Sequence, residues 1–249
     1  MEINSVIEAL LRRKHEMKTT MKTKQQASLT GWNYFSLALT AFGGLGMELL
    51  YAFLLEPHLY GAPISGWTGR QIILHWLLTC TTWGFWSCLL IHTAKKKYSL
   101  NLLSPGKRLK LYQYTLALLF TAIAIALHCY DWKGLKIVRE FQNKGLLLFS
   151  FQYLYYAFET VLFMLIIVFG QKACELWLDE CFSARLRGKI PYGGIICGLT
   201  WGLAHTFTKG SLTAGLSGIL WGFMMGSAYL VVNKDIRKAW IVMFLMFAF

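Results

Sequence analysis

The sequence predicts an all-α integral membrane protein, a bundle of six to seven transmembrane helices plus an N-terminal cytoplasmic amphipathic arm. Composition is the first reason, because 56% of the 249 residues are hydrophobic, 16% are aromatic and only 15% are charged. The second is spacing, since apolar runs recur near 31–55, 69–94, 111–129, 146–170, 191–207 and 211–232. Each run is close to the roughly 20 residues that a helix needs to cross the hydrocarbon. We therefore expect residues 31–249 to form a single polytopic membrane domain.

The last apolar stretch, 239–249, is shorter than the others. At about 1.5 Å per residue it reaches roughly 16 Å, against a hydrocarbon core of about 30 Å. We expect it either to end partway across the membrane or to pack against the bundle.

The net charge of +13 is explained by where the basic residues lie. Nineteen of the 25 Lys and Arg fall in the N-terminal tail and on alternate connections. This is the positive-inside pattern, which predicts a cytoplasmic N-terminus. Nucleic acid is therefore not needed as a partner, and the predicted partner is the lipid bilayer. The compact size and the lack of a targeting extension favour a bacterial plasma membrane, and an endoplasmic-reticulum membrane suits the same physics.

Residues 1–30 form the basic cytoplasmic arm. The apolar residues Val6, Ile7, Leu10 and Leu11 precede a run of basic residues at 12–14. An amphipathic helix on anionic lipid fits this pattern. A solvated, disordered tail fits it equally.

The first three spans carry few ionisable groups. Glu48 follows a run of small residues in the first span, and His75 lies at a similar depth in the second, so we expect a structural contact between them. The third span ends at His128 and Asp131. Residues 131–145 then suit a short interfacial helix or a re-entrant piece, although their net basic charge departs from the charge rule on the predicted outside.

The fourth apolar run supplies two candidate acids. Gln171, Glu175 and Asp179 are spaced i, i+4 and i+8, so they form one polar stripe on a helix. Glu159 lies sixteen positions before Glu175. At about 100° per residue the two acids face different sides.

The segment from Ile190 to Lys209 holds four glycines and one histidine, His205, well inside it. An ionisable group at membrane depth is costly, so His205 is a candidate site residue. A helix-to-helix hydrogen bond is the structural alternative. If the fourth helix starts near Leu147, Glu159 lies about 18 Å from the outer surface and His205 about 21 Å from the inner one, depths that nearly match and favour Glu159. If the helix runs on to about Arg185, the returning chain favours Glu175 instead, and the sequence leaves both pairings open.

From Gln171 to Asn233 the chain resembles the CPBP family, the CAAX-protease and bacteriocin-processing membrane endopeptidases, with a CPBP-like core at about 146–249. That family carries E-E-x-x-x-R, F-x-x-x-H and H-x-x-x-N on successive helices. Trp201 to His205 matches the second motif with an aromatic swap, and IPYGG resembles its lead-in. Glu175 falls at the first motif, but Cys174 precedes it and Asp179 stands where the Arg is expected. The final piece IVMFLMFAF lacks the third motif.

The resemblance implies hydrolysis of a membrane-proximal peptide bond in a lipidated or leader-bearing peptide. It implies Glu175 as general base, His205 as its electrostatic or metal-binding partner and Gln171 as an orienting group. The depth argument leaves Glu159 as the other candidate base. A divalent metal such as zinc would be held by His205 and Glu175, although zinc sites usually need three protein ligands.

Two further functions stay open on the sequence. One is a catalytically degenerate adaptor or bacteriocin-immunity-type protein, which would bind a peptide or a membrane-protein partner; the incomplete motifs favour it. The other is a proton-coupled transporter built on Glu48, Glu159 and His75. The two halves of the chain show no inverted repeat, which speaks against the transporter.

Overall fold

The computed structural model describes residue 13 and residues 29–178, 181–183, 185–186 and 188–249. Its regular structure in these residues is helical throughout, which confirms the all-α prediction. The predicted N-terminal arm and the position of Asp179 lie almost wholly outside the described residues.

Nine α-helices follow one another along the described chain. They are α1 (Gly31–Leu50), α2 (Glu56–Tyr60), α3 (Gly69–Tyr98), α4 (Leu111–Trp132), α5 (Lys136–Leu178), α6 (Tyr192–Cys197), α7 (Leu203–Thr208), α8 (Leu212–Val231) and α9 (Ile236–Ala248). Short π-helical segments, Tyr51–Leu55 and Gly198–Gly202, join α1 to α2 and α6 to α7.

Five helical stretches of the described chain are long and apolar enough to cross a membrane. They are Gly31–Tyr60, Gly69–Tyr98, Leu111–Trp132, Lys136–Leu178 and Leu212–Val231. The predicted fifth span is instead the broken stretch from α6 to α7, which reaches about 25 Å at 1.5 Å per residue. The protein is therefore a helical membrane protein with five candidate spans, fewer than the six to seven predicted.

Helix α5 is the centre of the bundle. All residues from Leu162 to Phe169 are buried, and α5 packs against α1, α3, α6 and α9. A helix that is apolar on every side must be enclosed in this way. Gly145 interrupts α5 with a φ of 70°, a left-handed conformation that glycine adopts without strain. The short helix before this break corresponds to the predicted interfacial piece.

Glycines let the broken stretch lie directly on α8. A Cβ added to Gly202 would sit 2.4 Å from the carbonyl oxygen of Gly218, and one on Gly222 would sit 2.5 Å from the nitrogen of Gly198. Side chains at these positions would force the backbones apart. This contact fixes the position of the π segment and, with it, of Trp201 and His205.

Helix α9 is thirteen residues long and packs against α4, α5 and α8. The prediction that the C-terminal stretch packs against the bundle is thus confirmed. Asp235 caps this helix by accepting hydrogen bonds from the backbone N–H groups of Arg237 and Lys238.

Candidate functional site

Trp201 joins the broken stretch to the central helix. Its indole Nε1 donates a hydrogen bond to Oε1 of Glu159 at 3.0 Å, and both side chains are largely buried. The other carboxylate oxygen, Oε2, accepts no hydrogen bond from the described residues, and it is not fully buried. Glu159 lines two cavities, so this free oxygen is available to a molecule in them.

His205 presents a second free acceptor. Its Nδ1 lies 2.8 Å from the carbonyl oxygen of Trp201. Because a carbonyl only accepts, Nδ1 must carry the hydrogen, and Nε2 of the neutral ring holds a lone pair. The rings of Trp201 and His205 meet edge to face, with centroids 4.7 Å apart. His205 lines the same two cavities as Glu159.

The two cavities share one wall of five residues: Tyr155, Glu159, Trp201, His205 and Lys209. The smaller, here called the apolar cavity, has a volume of about 300 Å³. Its remaining wall includes Phe42, Leu45, Leu49, Ala52, Phe53 and Ile64. The larger, the polar chamber, has a volume of about 500 Å³. Its remaining wall includes His128, Asp131, Trp132, Lys136, Tyr156 and Phe247.

A buried polar group stands behind the polar chamber. Glu140 accepts hydrogen bonds at Oε1 from the hydroxyl of Tyr156 at 2.8 Å and from Nε2 of Gln152 at 3.0 Å. Lys136 donates to the carbonyl of Phe247 at 2.6 Å. These contacts tie the short helix before Gly145 to α9 and to the part of α5 after Gly145, and fix one wall of the chamber.

The predicted contact between Glu48 and His75 is confirmed, at 3.6 Å from Oε1 to Nε2. Glu56, which the sequence did not single out, lies 2.6 Å from Nδ1 of the same ring. Glu48 also accepts a hydrogen bond from Tyr155 at 2.7 Å and lines the apolar cavity. The imidazole is thus held between two acids at the edge of the candidate site.

Gln171 and Glu175 lie in a different place. Glu175 Oε1 accepts hydrogen bonds from Gln171 Nε2 at 2.8 Å and from Lys234 Nζ at 2.5 Å. Gln171 also bonds the backbone at Ile190 and Gly193. Both line a third cavity, of about 640 Å³, whose walls do not include His205. Of the two candidate acids, the structure therefore brings Glu159 and not Glu175 to the cavities of His205.

The described residues do not fit the metal implied by the resemblance. They contain no group of three or more His, Cys, Asp or Glu side chains arranged to hold a metal ion. The predicted pair, His205 and Glu175, lines separate cavities. A zinc site needs about three protein ligands, so no catalytic step is assigned to a metal.

Sequence reasoning missed Lys136, Glu140 and the role of Trp201. The mixed charge of residues 131–145 was a signal, since it broke the positive-inside rule that the other basic residues follow. Trp201 was noted as the aromatic residue of a motif, but nothing in the sequence indicated that its indole reaches Glu159.

Comparisons of the chain with protein-family models, curated proteins and solved structures found no match.

Proposed function

We propose that the protein is an intramembrane endopeptidase resembling the CPBP type, with Glu159 as general base and His205 as its partner. One observation carries the proposal. Glu159 Oε2 and His205 Nε2 are two acceptors without a bond to the described residues, and both residues line the same two cavities. Glu175 was the first choice on sequence, but its carboxylate is engaged by Gln171 and Lys234.

A water molecule has two hydrogens and suits two such acceptors. In the proposed reaction the water donates to Glu159 and His205, and its oxygen attacks the carbonyl carbon of the peptide bond. Glu159 takes the proton and later returns it to the departing amine. Lys209 lines both cavities, and its positive charge would stabilise the oxyanion that forms.

The substrate class proposed from the resemblance is a membrane-proximal peptide, lipidated or bearing a leader. The test uses purified protein in lipid nanodiscs and a fluorogenic farnesylated peptide. Because the base and its partner are lost, Glu159→Gln and His205→Asn should each lower the initial rate by about 100-fold or more. Glu175→Gln is the matched control and should stay within about twofold of the wild-type rate. Unchanged cleavage by Glu159→Gln would contradict the proposal.

A non-catalytic peptide-binding protein, such as an adaptor or an immunity-type protein, is the second candidate. It is favoured by one observation: His205 is the last histidine of the sequence, so the third motif is missing. This candidate predicts that the wild-type protein retains the farnesylated peptide without cutting it, and that Glu159→Gln retains it equally well.

We also propose that residues 192–208 make a sixth crossing and that the N-terminus faces the cytoplasm of a bacterial plasma membrane. The connection after α5 then lies on the cytoplasmic side, with the exposed Cys181 in it. In a variant that keeps Cys181 as its single cysteine, a membrane-impermeant maleimide should label permeabilised cells and spare intact ones. Labelling of intact cells would reverse the orientation.

A further inference from the structure

Lys136 is a buried cation without a close counter-ion. Lys136 is only 5% exposed, and no described carboxylate lies within 4 Å of its ammonium. The ammonium makes one hydrogen bond, to the carbonyl of Phe247, and lies 4.7 Å and 5.0 Å from the ring centroids of Tyr156 and Phe247. Two of its three hydrogens are therefore left without an oxygen or nitrogen acceptor in the described chain. A buried charge in this state is costly unless an anion joins it.

Other positive or polar groups face the same space. Lys209 and His128 line the polar chamber together with Lys136. Nε2 of His128 is buried and has no hydrogen-bond partner among the described residues, while its ring stacks on Trp221 at 4.6 Å. Buried polar atoms are ordinarily paired. Lys136 and Lys209 therefore bring two cationic donors to the chamber, and these suit a ligand with several acceptor oxygens.

The carboxylates that line the chamber do not meet this demand. They are Glu159 and Asp131, and neither lies within 4 Å of Lys136. Glu140, one turn after Lys136 on the same short helix, accepts hydrogen bonds at Oε1 from Tyr156 and Gln152. Its buried Oε2 has no hydrogen-bond partner among the described residues, and it too lies more than 4 Å from the ammonium. No described carboxylate therefore forms a close ion pair with Lys136.

The apolar cavity leads from the same shared wall to the lipid-facing surface. Three of its wall residues, Leu49, Phe53 and Ile64, are 41%, 61% and 45% exposed. In a membrane these side chains meet hydrocarbon, so the mouth of the cavity is open to acyl chains. A bilayer lipid can therefore enter this cavity without passing through water.

We propose that the two cavities bind one anionic membrane lipid, with its phosphate between Lys136 and Lys209 and an acyl chain in the apolar cavity. A phosphate supplies several strong acceptors, and its bond to an ammonium is charge-assisted. The exposed Asp131 and Trp132 at the chamber are typical of the membrane interface, where lipid headgroups lie. This inference does not rest on the proposed function, because binding is measured without turnover.

The test is native mass spectrometry of the full-length protein with phosphatidylglycerol or phosphatidylcholine of identical acyl chains. The wild-type protein should retain phosphatidylglycerol in preference. Lys136→Gln keeps a donor for Phe247 but removes the charge, so the preference should fall about tenfold. Lys144→Gln is the matched control: it lies on the same short helix, over Trp76 at 5.4 Å and outside the chamber, and should keep the preference.

A second variant addresses the apolar cavity. Leu49→Trp adds volume at its lipid-facing mouth and should lower retention of both lipids about equally. Equal retention of the two lipids by the wild-type protein would overturn the proposal, as would the same result for Lys136→Gln and Lys144→Gln. If Lys136→Gln fails to fold, unchanged lipid retention by Leu49→Trp would overturn it instead.

Discussion

Glu159 and His205 are linked through one residue, since Trp201 donates its indole N–H to the acid and accepts from the imidazole with its backbone carbonyl. The link spans the central helix and the broken stretch. It leaves one oxygen of the acid and one nitrogen of the ring free at the shared cavities. Trp201 thus holds both side chains in place and leaves Glu159 Oε2 and His205 Nε2 free to accept hydrogen bonds.

Trp201→Phe should destabilise the protein more than a comparable substitution elsewhere. The phenyl ring keeps much of the packing, but Glu159 loses its donor in a buried place, which costs about 1–3 kcal/mol. Trp86→Phe is the control, because Trp86 donates to the carbonyl of Thr40 and is only half-buried. The measurement is the free energy of unfolding in detergent. Equal losses in the two variants would show that the bond to Glu159 is unimportant.

Gly202→Ala should be far more harmful than Gly43→Ala. A Cβ on Gly202 would lie 2.4 Å from a backbone oxygen of α8, whereas one on Gly43 meets nothing within 4 Å. Overpacking of this kind costs about 1–3 kcal/mol or more. Alanine at Gly43 should instead stabilise its helix by up to about 1 kcal/mol. Thermal unfolding of the two variants distinguishes these outcomes, and a harmless Gly202→Ala would refute the close helix contact.

His75→Leu should be strongly destabilising, by about 3–5 kcal/mol, because it leaves a buried charge without its partner. That charge is on Glu56, which is 2% exposed and 2.6 Å from the ring. The double variant Glu56→Leu/His75→Leu removes the ring together with its closer acid, while Glu48 keeps its hydrogen bond from Tyr155, and should recover most of the loss. A double variant no more stable than His75→Leu would mean that packing of the ring, rather than its charge partner, matters.

Asp235 should make stability depend on pH. Burial raises the pKa of this carboxyl, but hydrogen bonds from Lys238, Gly106 and Arg237 lower the pKa by more than burial raises it. The net pKa therefore lies below the ordinary value of 3.8. A depressed pKa in the folded state means that the stabilisation is complete above that ordinary value and is lost as pH falls through the folded-state pKa. The melting temperature should therefore fall on acidification below about pH 4.

Asp235→Asn is the control for this titration, since an amide still caps α9 but does not ionise. The difference in melting temperature between the wild-type protein and Asp235→Asn should shrink as the solution is acidified from pH 6 to below 4. A constant difference would contradict the assigned role of the carboxylate.

The sequence predicted helices well where their apolar runs were long. The run at 69–94 became α3, and the run at 211–232 became α8, nearly as expected. The run at 191–207 was predicted as one span, but the helix there contains a π segment at 198–202, and its glycines pack directly on α8. Hydrophobicity gives no sign of such a change in helix geometry.

The candidate site was predictable only in part. The depth argument paired Glu159 with His205, and the alternative of a long helix paired Glu175 with it. Helix α5 extends from Lys136 to Leu178 and contains both acids, so its length alone does not choose between the two pairings. Glu175 forms an ion pair with Lys234 instead of facing the cavities of His205. Lys234 reaches this acid from a turn that hydrophobic periodicity does not predict.

The pairing of Glu159 with His205 is tested by nitrogen NMR of histidine-labelled protein in nanodiscs, with the His205 signals identified by their loss in His205→Asn. We expect a neutral His205 ring with its hydrogen on Nδ1. Glu159→Gln should shift the His205 signals, while Glu175→Gln should leave them in place. A ring with its hydrogen on Nε2, or one that responds to Glu175→Gln and not to Glu159→Gln, would contradict the pairing.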